Sequence, residues 1–579
     1  MRCEFDRGTT TVLTADRQTA PTIQNPTTPD TTRPTTVRPF MSAGGSRCDA
    51  VNDEHRRMVA VHQYASVGRP ERPLKFGRTR VEGIGVQTSS IAAPVAGTRS
   101  GLLRRIRRLT LAEAATTVAF AIVVRLMLQP AKDPDLFWHL ATGRWITKHH
   151  RVPKADPFSW TTPGRRWIAH EWLTETWFWG LHRIGGFPLL SIAATLIVVT
   201  AMALTWRTMR RLGTPLAVAA TFVVLGAFAA LPTWGIRPQM LSFALLAFVV
   251  ALTTDAWQTG HARMLWTLPP TLLVWANLHG GYIFGIAVLG AFTVGTTIEQ
   301  YRAKPRNTEL IRTAWLVTVA SIAATLLNPN GVAGFTYPFT YLGANASTRY
   351  VAEWKAPQFS KPDFWALGLL LVVGVIVLVR GRRRVPIHAW IQIVALSALA
   401  LQSIRNSSPF VAVVLPWIAA TASGPNARKA KAAPNGASTV HMCVALAGLA
   451  TALTGTSAVS AANQQRSHQA NFPVAAVEWM NANPHDHVMN RYEWGGYAIL
   501  HASTKVGVDG RPDMYGDRFI DRYLSTWMTT TGWRDRLRTD DFRRVIGMPT
   551  DPIVRALTAT PNGWRIVYND GHAVVIDRQ

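Results

Sequence analysis

The chain alternates apolar runs of near-membrane length with short polar joints. A helix of roughly 20 apolar residues crosses a bilayer. By that measure the first span is predicted at Leu111–Leu128. Further spans are predicted at Phe187–Trp206, Pro215–Leu231, Met240–Thr254, Leu265–Asn277 and Tyr282–Thr297. Thr313–Leu327, Phe364–Val379, Ile387–Gln402, Pro409–Ala420 and Val440–Thr454 complete a set of about eleven. Between the first two lies the Trp-rich stretch Glu171–Ile184, EWLTETWFWGLHRI. Its amphipathic pattern predicts a helix lying in the membrane interface.

Both flanks depart from this pattern. Residues 1–103 are rich in Thr, Pro, Arg and Ser with no sustained apolar period. Such a segment buries too little apolar surface to offset its ordering entropy, so a disordered, basic, cytoplasmic region is expected. It lacks the charged start and apolar core of a signal peptide. Residues 461–579 carry no spanning run. There Asn471–Asn483 reads as a helix, and Lys505–Val508 and Trp564–Val567 as strands. Asn569-Asp570-Gly571 reads as a hairpin turn into Ala573–Ile576. The expected fold class is an α-helical polytopic membrane protein. Its transmembrane domain spans 104–460, with a first outer loop at 131–186. A small extracytoplasmic α/β domain follows at 461–579.

Charge orients the spans. Lys+Arg number 61 against 33 Asp+Glu, a net +28. No nucleic-acid motif accompanies the basic residues. They sit instead at alternate span ends: Arg104–Arg108, Arg210-Arg211, Arg302, Lys304, Arg306, Arg380–Arg384, and Arg428, Lys429, Lys431. The positive-inside bias then places the N-terminus in the cytoplasm and the C-terminus outside. The three cysteines, Cys3, Cys48 and Cys443, fall in no predicted outer loop, so neither a disulfide framework nor a thiolate metal site is expected.

Acidic residues are scarce, yet Asp133, Asp135, His139, Asp156, His170 and Glu171 crowd into Asp133–Leu173, just after the first span. Ionisable groups at a membrane edge are expensive and are functional candidates. Other outer span ends add Arg237, His279, Glu353, Lys355 and Arg405. Arg237, His279, Lys355 and Arg405 suit an anionic phosphate, and the carboxylates suit proton transfer. Asp133 before Pro134 also reads as a helix cap. In the tail, Arg491–Tyr497 and Val508–Asp517 pair aromatics, glycines and carboxylates. They fit a sugar-binding surface, and equally a turn closed by an Asp–Arg pair.

The segments Asp133–Leu140, Asp156–Ser159, His170–Leu173, Arg237–Gln239 and Asn277–Gly280 resemble those of the GT-C superfamily of polytopic membrane glycosyltransferases. The tail adds Trp494–Tyr497 and Asp509–Arg511, so the resemblance runs from Leu111 to the end, in a bacterial branch with a soluble C-terminal domain. It implies a catalytic acid in the first outer loop, at Asp133 or Asp135. It implies a sugar donor on polyprenyl phosphate and an extracytoplasmic glycan, lipid or protein acceptor, at a bacterial plasma membrane. His139, His170, Glu171, Arg237, His279, Glu353, Lys355, Arg405, Asp509 and Arg511 are the substrate-binding candidates. No nucleotide fingerprint is present, which fits a lipid-linked donor. No cofactor is predicted. Oligosaccharyltransferase members use a metal, which leaves a divalent ion on Asp133 and Asp135 open. Two other classes compete: a transporter or flippase of lipid-linked sugars, which would show matched repeats, and a non-catalytic envelope scaffold.

Overall fold

A computed structural model describes residues 110–340, 349–382, 385–424, 439–560 and 563–579. The region 1–103, the Arg104–Arg108 cluster, Arg383, Arg384, Arg428, Lys429 and Lys431 lie outside the described residues.

A helix stands at every predicted span. They are α1 (Leu111–Met127), α2 (Pro134–His149), α3 (Trp172–Arg211), α4 (Leu216–Ala230), α5 (Gln239–Thr259), α6 (Leu268–Leu278), α7 (Tyr282–Arg302) and α8 (Thr308–Thr325). Then follow α9 (Val332–Thr340), α10 (Trp365–Arg380), α11 (Ile387–Gln402), α12 (Ser407–Ala422) and α13 (Thr439–Ala458). Among the described residues, five helices are long and apolar enough to cross a membrane, or six if Cys443–Ala458 and Ala461–Asn471 form one bent span. The other helices at predicted spans are shorter or less apolar, so the expected eleven crossings do not all meet that measure. The interfacial helix and second span are one element, α3, broken where Gly185 and Gly186 leave helical geometry, with Pro188 just beyond. Gly186 has φ +61°, which a side chain would resist.

α12 forms the centre. It is largely apolar, and every residue from Phe410 to Ala419 is buried, as a helix without a polar face must be. It packs on α3, α4, α5, α10 and α11. The two ends of the bundle differ chemically. At one end the predicted inner loops meet: Arg207 and Arg211 pair with Asp255, Asn307 donates to the Gly260 carbonyl, and Glu299 accepts from the Ile387 amide. At the other end Asp133, Glu171, Arg237, His279, Glu353 and Arg405 collect. The alternation of the loops predicted from charge is thus seen in the packing.

The tail begins with α14 (Ala461–Asn471) and α15 (Val474–Ala482). Its strands β1 (Val488–Asn490), β2 (Arg544–Gly547), β3 (Trp564–Asn569) and β4 (Val574–Arg578) form one sheet in the order β1-β2-β4-β3. β1 and β2 are parallel, and β4 is antiparallel to both β2 and β3. The hairpin over Asn569–Gly571 is as predicted. Lys505–Val508 is not a strand of this sheet. Val506 makes only an isolated bridge to Ser159 of the outer loop. The backbone groups around it are taken by side chains: Asn490 Oδ1 accepts from the Gly507 and Val508 amides, and Thr161 donates to the Gly507 carbonyl. β1 and β2 escaped sequence reading because each is short and buried on both faces, so neither alternates. The helix α16 (Gly495–His501) rests on the start of α2. A side chain at Gly496 would stand 2.4 Å from the Pro134 carbonyl oxygen. The described residues all belong to one packed unit, so the tail sits directly on the outer loop.

Candidate active site

Asp133 and Pro134 start α2. The Asp133 carboxylate accepts from the Asp135 amide at 3.1 Å and caps the helix, and Pro134 occupies its first turn. The same carboxylate is held by Arg237, through Nε and through Nη2 at 3.1 Å. Arg237 Nη1 donates to Glu353. Arg237 is therefore spent on two carboxylates.

Asp135 is placed differently. Its Oδ1 accepts from Trp138 Nε1 at 3.3 Å, and Arg237 Nη2 is 3.8 Å from its Oδ2. Its side chain stays 33% exposed, against 10% for Asp133. Desolvation by the walls around it raises the Asp135 carboxyl to about 6, against the pull of Arg237. Arg405 stacks over Trp354 at 5.0 Å and makes no ion pair among the described residues. Its charge acts on Asp135, His170, Glu171 and His279. Lys355 is exposed, and its contribution is a backbone carbonyl that accepts from Ile404.

Behind Asp135 lies a buried layer. Glu171 meets three imidazoles: His139 Nδ1 at 3.6 Å, His170 Nε2 at 3.6 Å and His279 Nε2 at 3.4 Å. His139 Nδ1 is also 3.3 Å from Glu175. Burial pushes Glu171 up to about 8 and His170 down to about 4, and holds His139 and His279 well below their ordinary value. The close crossing of α2 and α3 makes this layer. A side chain at Gly143 would stand 2.0 Å from the Glu175 carbonyl oxygen, so only glycine lets the helices meet there. His139, Glu171 and Glu175 together form a group able to hold a metal ion. Its members differ from Asp133 and Asp135, the pair left open by the sequence.

Asp509 and Arg511 are not on a surface. Arg511 donates to Asp509 through Nε and Nη2 at 2.7 Å and to Asp156 of the outer loop at 2.9 Å. Its guanidinium lies over Trp167 and Phe158, at 4.5 and 5.2 Å from the ring centres. Both residues are buried, with their side chains turned to each other and to the outer loop rather than to solvent. This is the turn with an Asp–Arg pair that the same motif also fits, and it fastens the tail to the outer loop. The tail nevertheless reaches the site. A side chain at Gly510 would collide with Asp135, and Asp513 accepts from Tyr337, whose ring lies tilted against His170 with centres 4.2 Å apart.

Sequence reading missed Glu175, Tyr337 and Asp513. Glu175 carried a signal: it follows Glu171 by one turn in an otherwise apolar, Trp-rich helix. Tyr337 and Asp513 carried none, because their meeting depends on tail docking.

The arrangement was compared with known proteins. No family model and no curated protein matches the chain. Among solved structures, the archaeal oligosaccharyltransferase AglB from Archaeoglobus fulgidus, in complex with an inhibitory peptide and a dolichol-phosphate, superposes with a TM-score of 0.50. It is 12% identical, over 75% of this chain and 69% of that one. The likeness is one of fold: the chain folds in a way similar to this oligosaccharyltransferase. ArnT from Cupriavidus metallidurans, bound to undecaprenyl phosphate, is similar at a TM-score of 0.45 and 15% identity, over 83% of this chain and 98% of that one.

Proposed function

We propose that this chain is a membrane glycosyltransferase that moves a sugar from a polyprenyl-phosphate donor to an extracytoplasmic acceptor. The observation that carries the reading is the contrast between Asp135 and its neighbours: a partly exposed carboxylate whose nearest cation stands 3.8 Å away, acted on by the charge of Arg405, which pairs with no carboxylate among the described residues. Asp135 takes the proton of the acceptor hydroxyl as its oxygen attacks the anomeric carbon. The bond from that carbon to the lipid phosphate breaks, and Arg405 holds the charge of the leaving phosphate. Asp133 and Glu353 hold Arg237, which keeps the start of α2 in place. In this reading eleven spans cross the plasma membrane of a bacterium, with the site and the 461–579 domain outside.

A lipid-linked donor is supported by an open apolar groove of about 580 Å³, lined by Trp172, Leu173, Leu273, Val274, Leu326 and Leu327 among others. One of its walls begins at Trp172, the residue after Glu171 in the chain, and its apolar lining suits an isoprenoid tail. The test is lipid analysis of a deletion strain. A polyprenyl-phosphate sugar should accumulate and an envelope product should lack it, with rescue by the native chain and not by Asp135→Asn. An unchanged lipid and glycan profile would refute the reading.

A further inference from the structure

Glu171 and Glu175 are both buried, and His139 stands between them. Among the described residues no Lys or Arg lies within ion-pair distance of either carboxylate; their charged-type neighbours are histidines. Glu175 Oε2 is buried and has no hydrogen-bond partner among the described residues. Buried charge is normally paired or bound to metal. His139 Nδ1 is the one imidazole nitrogen that Glu175 meets among the described residues, and Glu171 stands 3.6 Å from the same nitrogen.

We propose that His139, Glu171 and Glu175 bind a zinc ion. Their donor atoms all lie within 4.8 Å of one another, with His139 Nδ1 at 3.3 Å from Glu175 and 3.6 Å from Glu171. Zinc bonds of about 2.0–2.2 Å in a tetrahedron separate the donors by about 3.3–3.6 Å, so both separations from His139 already match and only the two carboxylates need adjust to each other. One imidazole and two carboxylates leave a fourth position open, the pattern of three protein ligands. An imidazole donor in a closed, buried site favours zinc over magnesium, which prefers oxygen ligands and retains waters.

His279 serves this site from outside. Its Nδ1 receives the Gly281 amide at 2.9 Å and meets Ser242 Oγ at 2.7 Å. The proton is therefore on Nε2, which faces Glu171 Oε1 at 3.4 Å. A histidine so fixed orients a ligating carboxylate without ligating. The ion would join α2 to the start of α3. His139 follows Asp135 by one helical turn, so the ion fixes the helix that presents Asp135. That last consequence rests on the proposed transfer reaction; zinc binding does not.

The test uses the full chain purified in detergent, with metal content measured by plasma mass spectrometry. About one zinc per chain is expected. Chelation should lower the melting temperature, and Zn²⁺ but not Mg²⁺ should restore it. Glu175→Gln and His139→Ala should lose zinc by about tenfold or more, while Asp135→Asn keeps it. Native chain that takes up no zinc, or Glu175→Gln that keeps its zinc, overturns the site. If Glu175→Gln does not fold, the native chain decides: a melting temperature indifferent to chelator and Zn²⁺ also overturns it. Zinc retained without any transfer activity counts against the reaction and leaves the metal site standing.

Discussion

Arg237 grips Asp133 with two of its nitrogens, while Asp135, two residues on, is left 3.8 Å from the same guanidinium. Two acids that look alike in sequence are thereby given different work. One closes a helix end and neutralises a half-buried cation. The other, in the proposed reaction, keeps a lone pair for the acceptor's proton.

Their asparagine variants should therefore diverge. Asp135→Asn removes the proton acceptor and should lower transfer by about 100-fold or more with no loss of folded protein. Asp133→Asn still caps α2 but leaves Arg237 with Glu353 and the more distant Asp135, so the melting temperature should fall. The acid limb of the native rate profile should lie near the value of about 6 that burial gives Asp135. The base must be deprotonated, so the rate falls as pH drops through that value. Transfer assays and thermal melts on both variants check this. Equal activity in native chain and Asp135→Asn would remove Asp135 as the base.

The two arginines should separate in the same way. Arg405→Ala should raise KM for the lipid donor by about tenfold, with melting unchanged, because Arg405 holds no carboxylate among the described residues. Arg237→Ala strands Asp133 and Glu353 together and should cost folded protein outright. Detergent-stable yield and donor titration distinguish them. A loss of yield in Arg405→Ala as large as in Arg237→Ala would make Arg405 a structural cation.

The clamp of Arg511 with Asp156 and Asp509 should govern docking of the tail. Removing one partner of a buried ion pair costs about 3–5 kcal/mol. Arg511→Met should therefore expose the junction near Ser159–Val506 to limited proteolysis, while the native chain resists. An unchanged cleavage pattern would mean the tail is held by other contacts, such as α16 on α2.

Orientation has its own check. A reporter fused after Gln579 should be active only outside the cytoplasm, and one after Arg384 only inside. The reverse pattern at either point would put the site on the cytoplasmic face.

What the sequence determined by itself was the set of helices and their alternation. Apolar length and basic ends are local properties, and α1, α4 to α8 and α10 to α13 fall where those properties placed them. The crowding of Asp133, Asp135, His139, His170 and Glu171 was equally visible, because the outer loop is continuous in the chain. The division of labour within that crowd was not visible. It depends on Arg237 and Glu353 arriving from remote loops, and on Gly143 letting α2 approach α3 so that Glu175 meets His139. Asp509 and Arg511 show the same limit from the other side. Their motif is the same whether it faces a sugar or the core, and only the tail's docking on Asp156, Phe158 and Trp167 buried it. Burial and partner choice are set by long-range packing, and a linear pattern carries neither.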